Sequence, residues 1–257
     1  MKALIKTTDE IKCLRESGQC LARVMEAVIA TVVPDVPTLF LDTLTEKLIR
    51  AAGGVPVFKG YKLGSGESFP SSLCASINEE VVHGIPNTKK IARAGNLLKL
   101  DIGMRYAGMV TDMARTVKVG EVSSEAEKLT AITEVSLRRG IEKLYPGARI
   151  SDYARAVQKF AEENGFSVVR DLASHGVGRE LHEDPQIPNY ISREFNDFTV
   201  LSGMTFALEP MVNMGTFEVR LTPDNWTFVT ADGKWSAHFE DTVVITEDGA
   251  DVVTKID

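Results

Sequence analysis

Acidic residues stand inside apolar, strand-like runs at three separated points, and no other feature of the chain constrains its fold as much. Asp101 lies in Leu98-Lys99-Leu100-Asp101-Ile102-Gly103, where a buried face would prefer an apolar residue. Glu209 lies in Met204-Thr205-Phe206-Ala207-Leu208-Glu209-Pro210-Met211-Val212, and Glu240 in Ser236-Ala237-His238-Phe239-Glu240-Asp241-Thr242-Val243-Val244-Ile245. A carboxylate buried in such a run is expensive unless it has a partner. The fold therefore has to supply one at each of these positions.

Helical patterns surround these strands. Thr7 and Glu10 form a capping box, followed by Ile11, Leu14, Leu21, Val24, Met25 and Val28 at helical spacing, which predicts a helix over 8–32. Pro34 and Pro37 end it. A second helix is expected from Thr38 to Ala52, before Gly53-Gly54. Short strands and turns then run to residue 118. Ser124 and Glu127 suggest a further capping box opening a helix to Tyr145, and a fourth helix is expected over 151–164, with Gly165 at its end. The remainder reads as strands at 204–213, 226–230 and 234–246, with a turn at Ala231-Asp232-Gly233. The order of helices, strands, helices, strands is an α+β pattern suggesting two related halves. With 257 residues and no linker or low-complexity tract, one domain over 1–257 is the simplest organisation.

Composition narrows the function classes. An apolar content of 44% with 25% charged residues argues against global disorder. A net charge of −7 argues against nucleic acid or an anionic membrane as the main partner. The longest apolar run, near Val28–Val33, falls far short of the roughly 20 residues that a spanning helix needs. No signal peptide is read in the N-terminal residues. Cys13 and Cys20, seven apart on one helix, are about 10 Å apart and cannot bridge. With Cys74 alone, the set fits a reducing compartment, so a cytoplasmic location is expected.

Asp112, in Met109-Val110-Thr111-Asp112, falls on the return strand after Asp101. With a hairpin turn near Tyr106-Ala107, the two acids are expected opposite one another on one face. A dication between them would turn repulsion into binding. Taken alone, the pair is equally two solvated acids on an exposed sheet, and His175 alone, in Ser174-His175-Gly176-Val177-Gly178, is a hydrogen-bonded core histidine. Together, two Asp, two Glu and one His suit a pair of divalent ions sharing carboxylates, and the oxygen-rich set admits Mn²⁺, Fe²⁺, Co²⁺ or Zn²⁺.

The order Asp101, Asp112, His175, Glu209, Glu240 resembles the type I methionine aminopeptidases of the pita-bread metallopeptidases. The resemblance spans nearly the whole chain. Ala75-Ser76-Ile77-Asn78-Glu79-Glu80-Val81-Val82-His83-Gly84-Ile85-Pro86 and Gly178-Arg179-Glu180-Leu181-His182-Glu183-Asp184-Pro185 carry it further. It implies a pita-bread fold, a curved antiparallel sheet flanked by helices in two pseudo-symmetric halves. It implies two divalent ions per chain (Co, Mn, Fe or Zn). Asp101 would chelate one ion, Asp112 and Glu240 would bridge both, and His175 and Glu209 would complete the other shell. His83 and His182 would contact the scissile amide or its oxyanion. Glu209 would accept the proton of the attacking water, and the substrate's free amine would bind near the ion held by Asp101. Tyr61, Phe69, Cys74 and Trp226 align with the pocket for the methionine side chain, where aromatics and a thiol suit a thioether. The implied substrates are nascent-protein N-termini with a small second residue. Ribosome association is a possible accompaniment, no membrane or specific nucleic-acid partner is expected, and nothing in the sequence suggests more than a monomer.

Three features depart from the family pattern. Leu181 stands before His182 where an aromatic is common, 62–67 resembles a short insertion between Tyr61 and Phe69, and His238 stands where a glutamine is usual. Two residues from Glu240, it is placed to tune that carboxylate. Glu240-Asp241-Thr242 is also reminiscent of the Xaa-Pro branch of the superfamily, but that branch usually carries a large preceding domain, and Asp101 lies only a hundred residues in. A non-catalytic pita-bread protein that binds RNA or ribosomes would be expected to lose ligands and to be basic, and this chain does neither.

Overall fold

The computed structural model describes residues 5–62 and 66–256. Four helices carry the apolar periodicity: α1 (Thr8–Ile29), α2 (Thr38–Ala51), α3 (Ser124–Ile141) and α4 (Ile150–Glu163). The box at the start of α1 is formed, with Glu10 N–H donating to Thr7 Oγ1 at 3.3 Å and Thr7 N–H to Glu10 Oε2 at 2.8 Å. The helix stops three residues early, because Thr31 and Val32 bond back to Val28 and Ile29 in a tighter turn. The N-cap of α3 is Ser123, not Ser124; its hydroxyl accepts from Ala126 N–H. This helix ends at Ile141, after which Lys143 and Leu144 make three-residue turns. α4 closes as expected on Gly165, at φ 88°, with Gly165 N–H bonding Glu162 and Phe166 N–H bonding Ala161.

Nine strands frame the site: β1 (Cys74–Ile77), β2 (Leu97–Tyr106), β3 (Met109–Lys118), β4 (Ser174–Gly176), β5 (Glu183–Ile187), β6 (Thr205–Leu208), β7 (Met211–Asn213), β8 (Ser236–His238) and β9 (Asp241–Thr246). They pair antiparallel as β1-β2-β3, β5-β4-β6-β9 and β7-β8, and a bridge between Ala114 and Glu240 joins the first group to the others.

Alternation along the strands sorts the two faces. Leu98, Leu100, Ile102 and Met104 of β2 pack with Leu21, Met25, Leu41 and Ile49 of α1 and α2. Phe206, Leu208, Val243 and Ile245 pack with Leu129, Leu137, Tyr153 and Val157 of α3 and α4. Each helix pair thus covers one part of the sheet, as the two-halves pattern predicts. The intervening residues, Asp101 and Gly103 among them, take the opposite face. Gly18 lets α1 approach the C-terminal segment, where a Cβ would lie 2.3 Å from the Val253 carbonyl oxygen.

Two expectations are corrected by the register. Asp101 does not face Asp112: it pairs with Ala114, and Asp112 pairs with Gly103. The hairpin turns on Ala107-Gly108, both at positive φ, rather than on Tyr106-Ala107. The register moves by two residues, so the acids keep a common face but lie diagonally. The strands expected at 204–213 and 234–246 are each broken, at Glu209-Pro210 and at Phe239-Glu240. Pro210 has no N–H to give a ladder, and Glu240 gives its own N–H to Ala114 O at 3.0 Å.

A candidate metal centre on the sheet

The pairings lay the candidate ligands out as two adjacent rows on one sheet face. The first runs Cys74, Asp101, Ala114, Glu240 through successive strand pairs. Glu209 extends it, because Leu208 pairs with Asp241 and Met211 with His238, a register that sets Glu209 opposite Glu240. The second row runs Gly103, Asp112, Thr242, Ala207, His175. Within it Thr242 Oγ1 accepts from Asp112 N–H at 2.9 Å and donates to Asp112 O at 2.8 Å. All five residues expected as ligands are brought together this way. Oxygen and nitrogen atoms of Asp112, His175 and Glu240 lie within 4.8 Å of one another, as do those of Glu209, His238 and Glu240.

The electrostatics fit a cation. Asp101, Asp112 and Glu240 are buried, and each keeps one carboxylate oxygen without a hydrogen-bond partner. Burial, reinforced by the neighbouring carboxylates, pushes Asp112 and Glu240 well above the usual carboxylate range. Burial likewise raises Asp101 and Glu209. Orphaned oxygens on mutually repelling acids are what a divalent ion satisfies. His175 donates Nδ1–H to Gly176 O at 2.9 Å, leaving the Nε2 lone pair toward the acids, 3.6 Å from Glu209 Oε1. Burial holds its ring neutral, with a pKa lowered to about 3.

A buried network fixes Glu209 from behind, and no sequence pattern announced it. Tyr153 and Ser174 hydroxyls both donate to Asn189 Oδ1, at 2.7 and 2.9 Å. Ser174 Oγ accepts Glu209 N–H at 2.8 Å, and Asn189 Nδ2 donates to Glu209 O at 3.3 Å. The one local signal was a polar Ser174 next to His175 in a buried strand. Thr242 was equally unannounced.

The face opens into a cavity of about 600 Å³ lined by Tyr61, Phe69, Cys74, His83, His182 and Trp226 together with the five candidate ligands. Phe69 and Trp226 meet edge to face at 5.2 Å, and Leu181 packs in the same apolar cluster. The Cys74 thiol is pushed well above its ordinary value by burial and then by Asp101, Asp112 and Glu240, so it remains protonated and apolar. Tyr61 and Phe69 are tied by two backbone bonds of 2.8 Å, from Gly60 to Phe69 and from Phe69 to Tyr61. The stretch 62–67 between them, expected as an insertion, therefore leaves both rings in the cavity wall. Its residues 63–65 lie outside the described residues.

His182 stands at the open side, stacked edge to face between His175 (4.4 Å) and Tyr61 (5.0 Å), with Nδ1 hydrogen-bonded to the Tyr61 hydroxyl. His83 has φ 58°, a left-handed conformation that a histidine holds only when its surroundings enforce it. Its Nδ1 has no hydrogen-bond partner, and burial lowers its pKa to about 4.

Comparison with known proteins agrees with this geometry. The profile of metallopeptidase family M24 matches residues 12–247. A methionine aminopeptidase of Clostridium perfringens is 42% identical over 253 residues, covering 98% of this chain and 99% of that protein. The crystal structure of a methionine aminopeptidase from Thermotoga maritima superposes with a TM-score of 0.92 at 40% identity, covering 98% of each chain. An Xaa-Pro dipeptidase from Bacillus anthracis shares the fold, with a TM-score of 0.76 at 23% identity, but this chain covers only 62% of it. The chain belongs to metallopeptidase family M24, the pita-bread metallopeptidases, and within it to the methionine aminopeptidases.

Proposed function

We propose that this protein removes the N-terminal methionine from new polypeptides by metal-dependent hydrolysis. The observation that carries the reading is that the two rows of acids and His175 open directly into a cavity with an apolar wall of aromatics and a thiol. Two divalent ions would be held by Asp101 on one side, by His175 and Glu209 on the other, and by Asp112 and Glu240 between them. When bound, the ions supply Lewis acidity that lowers the pKa of water and polarises a carbonyl.

The protein's own residues do the rest. Glu209 accepts a proton from the attacking water and delivers it to the leaving amine. Its backbone, fixed by Ser174 and Asn189, keeps the carboxylate at a set height above the sheet. A Tyr61 hydroxyl that donates to His182 Nδ1 leaves Nε2 as the N–H, aimed to stabilise the developing oxyanion. His83 contacts the scissile amide from the opposite wall. Tyr61, Phe69, Cys74 and Trp226 exclude water from around the thioether. The substrate's free amine sits on the Asp101 side, which restricts cleavage to the first bond.

The reading takes the substrates to be polypeptide N-termini with a small second residue, met in the cytoplasm by a monomer that acts as one domain. Hydrolysis of Met-Ala-Ser and of Xaa-Pro peptides, with apo protein reconstituted by Mn²⁺, Fe²⁺ or Co²⁺, tests it. Release of free methionine, lost in Asp101→Asn, is expected. Cleavage before proline would move the activity to the neighbouring branch, and no turnover on either peptide would sink it.

A further inference from the structure

Of the four histidines, His238 is the one to which the family resemblance gives neither a ligand nor a substrate-contact role, yet its ring is built into the centre. The side chain is 1% exposed, and neither ring nitrogen has a hydrogen-bond partner. Its Nε2 lies 3.2 Å from Glu209 Oε2 without directing an N–H at it. On the other side of the same carboxylate, His175 Nε2 faces Oε1. Glu209 therefore lies between two imidazoles, one at each oxygen.

The spacing has a simple meaning. Neighbouring donor atoms around a small dication, with bonds of about 2.0–2.2 Å, stand about 2.8–3.6 Å apart. The separation of His238 from Glu209 falls in that interval, and donor atoms of His238, Glu209 and Glu240 form one group within 4.8 Å. A hydrogen bond would explain the distance equally well, but the ring N–H is misdirected for one. A buried nitrogen left without any partner is costly. The main chain that carries the ring is held in place, since His238 N–H donates to Thr116 Oγ1 at 2.9 Å and Thr116 Oγ1 donates to His238 O at 2.7 Å.

We infer that His238 is a sixth metal-binding residue, whose Nε2 shares one divalent cation with Glu209 and Glu240. The inference rests on the metal centre proposed above. A second imidazole in an otherwise carboxylate set shifts preference toward Co²⁺ and Zn²⁺ and away from Mn²⁺.

The test reads the metal rather than the reaction. X-ray absorption at the cobalt edge of the two-ion protein should give about one imidazole per ion, whereas His175 alone would give about one half. In competition with a chromophoric chelator, His238→Gln should weaken Co²⁺ and Zn²⁺ at one site by about tenfold or more, with a smaller change for Mn²⁺. About one half imidazole per cobalt in the wild-type protein would overturn the inference whether or not the variant folds, as would unchanged Co²⁺ affinity in a folded variant. Failure of the wild-type protein to bind cobalt at all would remove the metal centre and this inference together. The full imidazole count in a protein that releases no methionine would uphold His238 as a ligand while sinking the hydrolytic reading.

Discussion

Glu209 and Glu240 oppose one another at a break in an antiparallel pair whose register is the same on both sides, Leu208 to Asp241 before it and Met211 to His238 after it. The ladder opens only where the two carboxylates stand. Pro210 withholds one N–H, and Glu240 turns its backbone to Ala114 instead. The break frees the buried Glu240 and the partly buried Glu209 from sheet geometry so that both can reach a common cation.

Removing either acid should therefore abolish metal binding at one position without unfolding the chain. Glu209→Gln and Glu240→Gln are each expected to weaken divalent-ion affinity by more than about 100-fold and to reduce methionine release at least in proportion. Isothermal titration of apo protein checks this. Retained affinity in both variants would contradict the ligand assignment.

Stripping the ions should lower thermal stability. A ligand present at about 100 times its dissociation constant contributes about 2.7 kcal/mol, which for a chain of this length corresponds to a melting shift of about 5–10 °C. Because burial holds Asp112 and Glu240 protonated above the ordinary carboxylate range, the ions must displace protons to bind. Apparent affinity should rise with pH, and proton release on metal addition should be measurable with a pH indicator.

Tyr61 positions His182 and touches no reacting atom in the proposed mechanism. Tyr61→Phe removes the hydroxyl from His182 Nδ1 and leaves the ring in the cavity wall. We expect kcat to fall about tenfold with KM little changed. Equal losses in a His182→Ala background would show that the hydroxyl acts elsewhere.

Three residues before His182, Arg179 donates to both oxygens of Glu10, at 2.6 and 2.9 Å. The Arg179 hydrogen bonds hold the Glu10 pKa down at about 2, against an ordinary 4.5. A depressed carboxylate contributes stability that is present above its unfolded value and lost as pH falls toward the folded one. Glu10→Gln should therefore flatten the stability profile between about pH 5 and pH 2. The effect at neutral pH should be only about 1 kcal/mol, since the pair is partly solvated. Urea titrations at several pH values measure both.

Gly103 sits directly across from Asp112, and a Cβ there would lie 2.7 Å from Val57 Cγ2, 2.8 Å from Phe58 Cε1 and 3.3 Å from Asp112 Oδ1. Gly103→Ala is expected to destabilise the fold by about 1–3 kcal/mol and to displace the Asp112 carboxylate. Chemical denaturation and metal titration of the variant separate the two effects.

The convergence of Asp101, Glu209 and Glu240 on one face was legible because a carboxylate inside an apolar strand run calls for a partner, whereas Asp112 and His175 joined them only through the family resemblance. The helices were legible from periodicity, within three or four residues at their ends, where tight turns at Thr31 and Lys143 take over from the α-helical bond pattern. The facing of Asp101 and Asp112 was not legible. It depends on which two residues of Tyr106-Ala107-Gly108 form the hairpin turn, and a shift of one position there moves the register by two. The breaks at Glu209 and Glu240 were hidden for a related reason: the apolar pattern runs on through them, and only the partner strands show that the ladder has opened. The support of Glu209 by Tyr153, Ser174 and Asn189 joins residues up to 56 positions apart along the sequence and leaves no local trace.

The most direct measurement follows free methionine by mass spectrometry while Co²⁺ is titrated into apo protein with Met-Ala-Ser present. The account predicts no release from the apo protein, release that rises with bound ion, and none from Asp101→Asn at the same cobalt concentration. Methionine release that ignores the metal, or metal binding on this sheet face with no release at any ion tested, would contradict it.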